Sequence, residues 1–377
     1  MPAYLDHAAT GPMRPEAVEA MLPFLSDRFA NPSGAHRRAR DARRAIDEAR
    51  EELAALVGCA PGDIVFTSGG TESDNLAVFG LGSGDGAAVC TAVEHHAVLD
   101  PVVSLHGRVV AVDRSGRVDV DDLRRALADG PVRLVSIMAV NNETGLIQPI
   151  DEAAAVVRAE APDAVIHSDA VQAFCWTDVA RTCAPVDSFS LSAHKFGGPK
   201  GVGALVVRAG IPLRAQQLGG GQERERRSGT QNVAGIVAMV VAARGTAAER
   251  DAEIARIGAL RDRLLDGLVA RIDGLVETLG PDRSGRAAGI AHVCIPGVES
   301  EALLYLLERE DVSASAASSC ASGAVQSSHV LAAMGVDADL ARGSLRLSLG
   351  HTTSSSDIDD ALIVVPAAVE RLRNGGL

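Results

Sequence analysis

The amino-acid sequence predicts an α/β fold built on a mostly parallel sheet. Short apolar runs of four or five residues, rich in Val, Ile and Ala, alternate with amphipathic helical stretches over the first part of the chain. This alternation is typical of parallel strands that crossover helices bury on both faces. At 377 residues the chain is also long enough to bury a large core and to form two domains.

The individual elements are predicted in chain order from these runs. Strands are predicted at residues 64–67, 87–90, 134–138, 164–167, 188–191 and 203–207. Helices are predicted between them, including 35–57, 120–128 and 150–159. Active sites in parallel sheets form at the carboxyl ends of strands, so polar residues that follow these runs are the candidates for chemistry.

The last third of the chain has a different organisation. An Ala- and Arg-rich stretch at residues 231–272 predicts a long helix that is broken near Gly245. New strand signals follow at residues 291–295 and 346–349, and a Ser/Ala-rich loop spans 313–328. Helix-like runs bound this loop on both sides, which favours a functional loop over a disordered segment. We therefore place a domain change near residue 253.

Composition excludes several classes of function. The net charge is −13 and no basic run is sustained, which argues against electrostatic capture of nucleic acid. No stretch reaches the roughly 20 apolar residues that cross a bilayer, and the first residues lack the pattern of a signal peptide. The six cysteines show no Cys-x-x-Cys pair and no metal-ligand spacing. We expect thiols in a reducing cytoplasm and neither a metal site nor a membrane partner.

The rarity of lysine is informative. Only two of the 36 basic residues are lysines, Lys195 and Lys200. Arginine supplies positive charge elsewhere, but it cannot act as a neutral amine nucleophile. A retained lysine therefore indicates amine chemistry such as Schiff-base formation. Lys195, which lies between a histidine and a glycine-rich turn, is the candidate. For Lys200, a chemical role and retention by chance are equally good explanations.

Three more motifs follow predicted strands. Residues 67–75 (TSGGTESDN) form a glycine turn that exposes N–H groups to an anion, although many strand-to-helix turns look alike. Asp169 ends an apolar run, where it is either a helix N-cap or the partner of a cationic ring nitrogen. His95 follows another strand and carries little weight alone. Together, a phosphate turn, a strand-end acid and a reactive lysine meet the requirements of a pyridoxal phosphate enzyme.

These features resemble the class-V aminotransferase-fold enzymes, and among them the cysteine desulfurases of the first group. The resemblance runs nearly end to end and implies an aspartate aminotransferase-like fold of type I. It implies a large domain at 14–252 and a smaller α+β domain formed by 1–13 and 253–377. The motifs occur in the family's order: residues 4–10 (YLDHAAT), 31–36 (NPSGAH), 68–73 (SGGTES), 94–100 (EHHAVLD), 140–145 (VNNETG), 169–172 (DAVQ), 192–195 (SAHK), 219–224 (GGGQER), 227–230 (RSGT) and 342–348 (RGSLRLS).

The resemblance implies a cofactor site for pyridoxal 5′-phosphate. Lys195 is expected to form the Schiff base, Asp169 to pair with the pyridine nitrogen and Gln172 to contact the phenolic oxygen. His95 is expected to stack on the ring and to move protons. A homodimer is implied, because Thr230 of a second subunit helps to bind the phosphate. Within one chain the expected phosphate ligands are Gly70, Thr71, Ser192 and His194.

The resemblance also implies the substrate and the reaction. Asn142 is expected beside cofactor and substrate, and Arg346 is expected to bind the substrate carboxylate as a bidentate fork. Residues 315–323 (SAASSCASG) align without a gap with the loop that carries the nucleophile in first-group desulfurases. The implied reaction removes sulfur from L-cysteine and gives L-alanine. Cys320, as a thiolate, receives the sulfur as a persulfide and passes it to an acceptor protein.

Two alternatives stay open at this level. The same fold also serves selenocysteine lyases and cysteine C–S lyases, and a chain of this kind can act as a weakly catalytic sulfur-relay or scaffold partner. Intact Lys195, His95, Asp169 and Arg346 favour an enzyme. The sulfur acceptor is not indicated by the residues: iron–sulfur cluster scaffolds, tRNA thiolation, DNA sulfur modification and synthesis of sulfur-containing metabolites all fit.

Overall fold

The computed structural model describes residues 3–316 and 328–375. The strands are β1 (Ala3–Tyr4), β2 (Ile64–Thr67), β3 (Ala87–Thr91), β4 (Arg108–Val110), β5 (Val132–Ser136), β6 (Val165–Asp169), β7 (Ser188–Ser192), β8 (Gly203–Val207), β9 (Val276–Glu277), β10 (Ile290–Cys294), β11 (Val312–Ser313) and β12 (Ser344–Ser348). The helices are α1 (Pro15–Met21), α2 (Arg37–Val57), α3 (Gly70–Gly80), α4 (His96–Ser104), α5 (Val120–Ala128), α6 (Ile150–Glu160), α7 (Val179–Thr182), α8 (Val233–Val269), α9 (Ser300–Arg309), α10 (His329–Ala333), α11 (Ala338–Ala341) and α12 (Ser355–Arg373).

The larger sheet has the strand order β2-β8-β7-β6-β5-β3-β4. Its neighbours from β7 to β4 are paired in parallel, whereas β8 runs antiparallel to both β2 and β7. The α/β fold with a mostly parallel sheet is therefore confirmed. Each of the six predicted strands forms, with bounds that differ by no more than two residues from the prediction.

Apolar packing covers both faces of this sheet. On one face, Phe189 of β7 shares a core with Leu53 of α2 and Met239 of α8. On the other face, Leu205 of β8 shares a core with Leu76 of α3. Burial of each such side chain stabilises the fold by about 1.5–3 kcal/mol. Because both faces are covered, the polar residues at the strand ends are left to form a site at the sheet edge.

A further core lies under the smaller sheets. Strand β10 pairs antiparallel with β9 and β12, and the N-terminal strand β1 pairs in parallel with β11. Leu264 of α8, Val293 of β10 and Leu347 of β12 are buried together in this core. The first residues of the chain therefore join the C-terminal part of the molecule and bring residues 6–9 to the edge of the large sheet.

Helix α8 contradicts one prediction. It runs without a break for 37 residues, from Val233 to Val269, so the predicted break near Gly245 is wrong. The helix passes close to α1 at this glycine, where a Cβ would lie 2.9 Å from the end of the Glu16 side chain. Residue 253 also lies within α8, and this one helix contributes to two of the cores. The division into residues 14–252 and the remainder stays a prediction.

Within residues 3–316 and 328–375, no helix combines the length and the apolar character that crossing a membrane requires. The same part of the chain contains no group of three or more His, Cys, Asp or Glu side chains arranged to hold a metal ion.

Candidate active site

A cavity of about 400 Å³ lies where β6 and β7 end, at Asp169 and Ser192. Thr230 is exposed and does not line this cavity, and Cys320 lies outside the described residues. The cavity brings together ten of the residues predicted from sequence: Gly70, Thr71, His95, Asn142, Asp169, Gln172, Ser192, His194, Lys195 and Arg346.

Lys195 ends a single 3₁₀ turn, Ala193–Lys195, directly after β7. Its Nζ donates to the backbone oxygens of Ala8 (2.6 Å) and Ala9 (2.8 Å), which come from the N-terminal segment. Burial, followed by the nearby positive charge of Arg346, lowers the pKa of the Lys195 amine to about 8. A lysine with this pKa has a substantial neutral fraction near physiological pH and is a competent nucleophile.

Asp169 is the last residue of β6 and is only 5% exposed. One carboxylate oxygen accepts the backbone N–H of Val171 at 2.9 Å. Burial, followed by the charge of Asp74, raises the pKa of the Asp169 carboxyl above its usual range. A cation placed beside this carboxylate would offset the cost of its burial.

A second buried acid, Asp74 of α3, also lines the cavity. It pairs with His167 of β6 at 3.3 Å, and both side chains are almost fully buried. Burial raises the pKa of Asp74 to about 7 and lowers the pKa of His167 to about 4. At neutral pH the Asp74 carboxyl is therefore partly protonated, and the loss of negative charge there favours the ionised form of Asp169.

The turn before α3 has the geometry of an anion site. Gly69 has a φ of 154°, and the following eleven-residue helix begins at Gly70. The first N–H groups of a helix have no partner within the helix and attract anions. The Glu72 carboxylate fixes the turn, because it accepts the Ser68 N–H (2.8 Å) and the Arg227 guanidinium (2.7 Å).

His95 caps the N-terminus of α4. Its Nδ1 accepts the backbone N–H of Ala97 at 3.0 Å, so the neutral ring carries its proton on Nε2. Burial lowers the pKa of His95 below its usual value. The side chain is therefore a neutral ring with one free N–H donor in the cavity wall.

Arg346 lies on β12 with a side chain that is 6% exposed. Its Nη1 donates to the backbone oxygen of Asn142 (2.9 Å), and its Nη2 donates to Asp6 Oδ1 (2.8 Å). Its Nε has no hydrogen-bond partner among the described residues. A buried donor without a partner carries a free-energy cost, which an incoming anion such as a carboxylate would remove.

Comparisons with known proteins place these residues in a family. Residues 3–361 match the protein family described as Aminotransferase class-V. The chain is 45% identical to a protein named IscS-like cysteine desulfurase from Mycobacterium tuberculosis (strain ATCC 25618 / H37Rv), over 389 aligned residues that cover 100% of this chain and 98% of that protein. The chain belongs to the class-V aminotransferase family, among its cysteine desulfurases.

Solved structures of other desulfurase-like proteins have the same fold. One described as a NifS-like protein superimposes with a TM-score of 0.89 at 33% identity, covering 98% of this chain and 100% of that one. Another, described as SspA in complex with cysteine, superimposes with a TM-score of 0.76 at 30% identity, covering 92% and 98%. The predicted family and the predicted fold class are confirmed.

Some residues of this desulfurase site were not predicted from sequence. Asp6 pairs with Arg346, and Ser315 and Asp74 line the cavity. Asp6 lies inside a family motif, at residues 4–10, which is the one signal that could have identified it. Asp74 lies in the 67–75 turn but carries no separate signal, since its importance comes from burial against His167.

Proposed function

We propose that the chain is a pyridoxal 5′-phosphate-dependent enzyme that removes sulfur from L-cysteine, releases L-alanine and carries the sulfur as a persulfide on Cys320. One observation carries the proposal. The amine of Lys195, with its lowered pKa, shares one cavity with the buried Asp169 carboxylate and with a buried Arg346, whose Nε has no hydrogen-bond partner within residues 3–316 and 328–375. These are an amine nucleophile, a partner for a cationic ring and a carboxylate receptor.

The residues of the cavity fit pyridoxal 5′-phosphate. A Cβ at Gly70 would lie 2.7 Å from Val171 Cγ2, so only glycine keeps this corner of the cavity open. The helix N-terminus there and the hydroxyl groups of Thr71 and Ser192 would hold the phosphate. Asp169 would hold the ring nitrogen protonated. When bound, the cofactor supplies an electron sink for bond changes at the substrate Cα.

Two residues would orient the substrate. The unpaired Nε of Arg346 would take one oxygen of the cysteine carboxylate, in the plane of the guanidinium. Asn142 fixes this guanidinium, because its backbone oxygen accepts from Nη1 at 2.9 Å. A substrate anchored by its carboxylate presents its Cα and its sulfur to the rest of the cavity. This orientation lowers the entropic cost of reaching a reactive geometry.

Lys195 and His95 would manage protons. The Lys195 amine, with a pKa of about 8, can take a proton from the substrate Cα and return it. The neutral His95 offers Nε2–H as a donor, since its Nδ1 is occupied by the Ala97 N–H. These two groups lie in the wall of the same cavity.

The sulfur transfer balances with Cys320 as a thiolate. Its sulfur attacks the substrate sulfur, the carbon–sulfur bond breaks, and a sulfur–sulfur bond forms. The substrate carbon keeps the electron pair of the broken bond and takes a proton, which gives the methyl group of alanine. No external oxidant or reductant is needed, because the two-electron oxidation of the substrate sulfur to the persulfide level is balanced by the reduction of the carbon that loses it.

The active form is proposed to be a homodimer. Thr230 is exposed and lies outside the cavity of its own chain, although it belongs to the 227–230 family motif. The ion pair between Arg227 and Glu72 fixes the start of this motif at the phosphate turn, with 2.7 Å between Arg227 Nε and Glu72 Oε1. A second copy would then receive Thr230 at its phosphate.

A cytoplasmic protein that accepts sulfur from Cys320 is the proposed partner. The thiols within the described residues are unsuited to this transfer. For example, burial raises the pKa of Cys175 and of Cys183 to about 12, and a protonated thiol is a poor nucleophile.

The test is a product balance. Purified protein loaded with pyridoxal 5′-phosphate is incubated with L-cysteine and a thiol reductant, and alanine and sulfide are both measured. We expect one alanine for each sulfide. Pyruvate and ammonia in place of alanine would show elimination and contradict the proposal.

A further inference from the structure

Both ends of the segment that contains Cys320 are held by hydrogen bonds, the N-terminal end at Ser315 in the wall of the active-site cavity and the C-terminal end at Ser328. At the N-terminal end, Ser315 pairs with Arg346 through the backbone: the Ser315 N–H donates to Arg346 O (3.2 Å) and the Arg346 N–H donates to Ser315 O (2.7 Å). At the C-terminal end lies Ser328, which is 5% exposed. The N-terminal end therefore contacts directly the residue that would bind the substrate carboxylate.

The C-terminal end is held by a buried carboxylate. The Ser328 hydroxyl donates to Glu143 Oε2 at 2.5 Å. The same hydroxyl accepts the Leu331 N–H at 3.1 Å and so caps α10. Glu143 is 3% exposed, and burial raises the pKa of its carboxyl to about 7. This carboxylate has no role in the chemistry described above, yet the fold keeps it buried, which is costly without a function for the contact.

Glu143 itself is rigidly placed. It lies directly after Asn142, whose backbone oxygen accepts from Arg346. Asn141 Oδ1 accepts the N–H groups of Glu143 (3.0 Å) and Thr144 (2.9 Å), which fixes the turn. Movement of Glu143 is therefore restricted relative to the substrate-binding side of the cavity.

Helix α10 also packs on the cavity wall. Val330 and Met334 share a small core with Val93 and Met138, and Met138 lines the cavity. The His329 ring lies 2.9 Å, through Nε2, from the backbone oxygen of Glu94. Unlike the His329 contact, the Ser328 hydrogen bond to Glu143 comes from the turn whose Asn142 oxygen accepts from Arg346.

We propose that Glu143 is a positioning residue for sulfur transfer. By accepting the Ser328 hydroxyl, it fixes the C-terminal end of the Cys320 segment next to the turn that contacts Arg346. The inference rests on the proposed function, in which Cys320 receives the sulfur. Release of this contact would let the end of the segment sample more positions, and a misplacement of about 1 Å at a reacting group costs on the order of a hundredfold in rate.

The variants separate this contact from the helix cap. Glu143→Ala removes the acceptor and leaves the Ser328 cap intact, while Glu143→Gln keeps an acceptor oxygen of the same shape. Ser328→Asp keeps a cap for α10, since aspartate is a good N-cap residue, but it places a carboxylate against Glu143. Ser354→Ala is the matched control, because it removes the N-cap hydroxyl of α12, outside the cavity.

Two measurements on the holoenzyme test the proposal. The first is hydrogen–deuterium exchange of the peptide that contains residues 328–336, without L-cysteine. The second is a single turnover in which cysteine binding is followed by the change in cofactor absorbance and persulfide on Cys320 by mass spectrometry. For Glu143→Ala and Ser328→Asp we expect faster exchange, normal cysteine binding and a persulfide rate lower by about tenfold or more, as for a lost buried hydrogen bond to a charged group.

Glu143→Gln should recover most of the rate, and Ser354→Ala should match the wild type in both measurements. A persulfide rate equal to that of the wild type in Glu143→Ala would overturn the proposal. So would a Ser328→Asp protein whose exchange and persulfide rate both equal those of the wild type. Failure of the proposed function looks different, because the wild-type enzyme itself would then place no sulfur on Cys320.

Discussion

Asp6 and Arg346 form an ion pair in the cavity wall, with 2.8 Å between Asp6 Oδ1 and Arg346 Nη2, although 340 residues separate them in the chain. The pair occupies one edge of the guanidinium, and its Nε has no partner in the part of the chain that the structure describes. Asp6 therefore orients Arg346, and in the proposed function the Nε would be the donor left for a substrate carboxylate. Lysine at this position would supply the charge but not the planar fork.

Arg346→Lys should raise the KM for L-cysteine by about tenfold or more, because a charge-assisted hydrogen bond contributes about 1.5–3 kcal/mol. Cysteamine, which lacks the carboxylate, is the control substrate. Initial rates should show that the wild type strongly prefers L-cysteine and that the variant loses most of this preference. An equal loss on both substrates would instead indicate general damage to the cavity.

Lys195→Ala should abolish the covalent attachment of pyridoxal 5′-phosphate to the protein. Lys200→Ala is the matched control, since Lys200 is exposed and does not line the cavity. Borohydride reduction followed by peptide mass spectrometry should find the cofactor on residue 195 in the wild type and in Lys200→Ala. A reduced adduct on Lys200 in the Lys195→Ala protein would reverse the assignment.

The lowered pKa of Lys195 predicts a pH profile for the protein without cofactor. Only the neutral amine reacts, so its acylation rate should rise with pH, reach half its maximum near pH 8 and fall about tenfold for each pH unit below that. Peptide mass spectrometry after timed acylation at several pH values would measure this profile. A midpoint above pH 10 would show that burial and Arg346 do not lower the pKa of the Lys195 amine.

Thr230 should act on the site of the other copy. A carboxylate at position 230 would repel the phosphate, so Thr230→Asp and Lys195→Ala should each be inactive alone. A mixed dimer has one site with both changes and one site with neither, because each site combines Lys195 of one chain with Thr230 of the other. Co-expression should therefore restore about a quarter of the wild-type activity. No recovery in isolated mixed dimers would contradict the shared site.

The parts of the site that could be predicted from sequence are those whose chemistry is carried by residue type. Lys195 stands out because the chain has only one other lysine, Lys200, and Asp169 stands out because it ends an apolar strand. The motifs in family order then identified the neighbours of these residues. The mostly parallel pairing of the large sheet follows from the same alternation of strands and helices, with β8 as its antiparallel exception.

The parts that could not be predicted depend on contacts between distant segments. Gly245 does not break α8, because packing against α1 outweighs a glycine penalty of about 1 kcal/mol. The link between Glu143 and Ser328 joins residues 185 positions apart, and neither residue signals it locally. The raised pKa of Asp74 likewise arises from burial, which no short motif reports.

Cys320→Ser should separate cofactor chemistry from sulfur transfer. Serine cannot form a persulfide, but Lys195, Asp169 and Thr71 are unchanged. The variant should bind pyridoxal 5′-phosphate normally and respond spectrally to L-cysteine without making alanine catalytically. Cys175→Ser is the control, because the Cys175 thiol is partly buried and donates to the backbone oxygen of Lys195 at 3.4 Å. That protein should keep its alanine production.

Mass spectrometry of the cysteine-treated enzyme tests the central claim most directly. The holoenzyme is mixed with L-cysteine without reductant, and unreacted thiols are then blocked. The mass of each cysteine-containing peptide is determined, and alanine is measured in the same sample. We predict one added sulfur on the peptide that contains Cys320, in an amount equal to the alanine formed. Sulfur on Cys175 or Cys294 instead, or alanine formed at the wild-type rate by Cys320→Ser, would contradict the account.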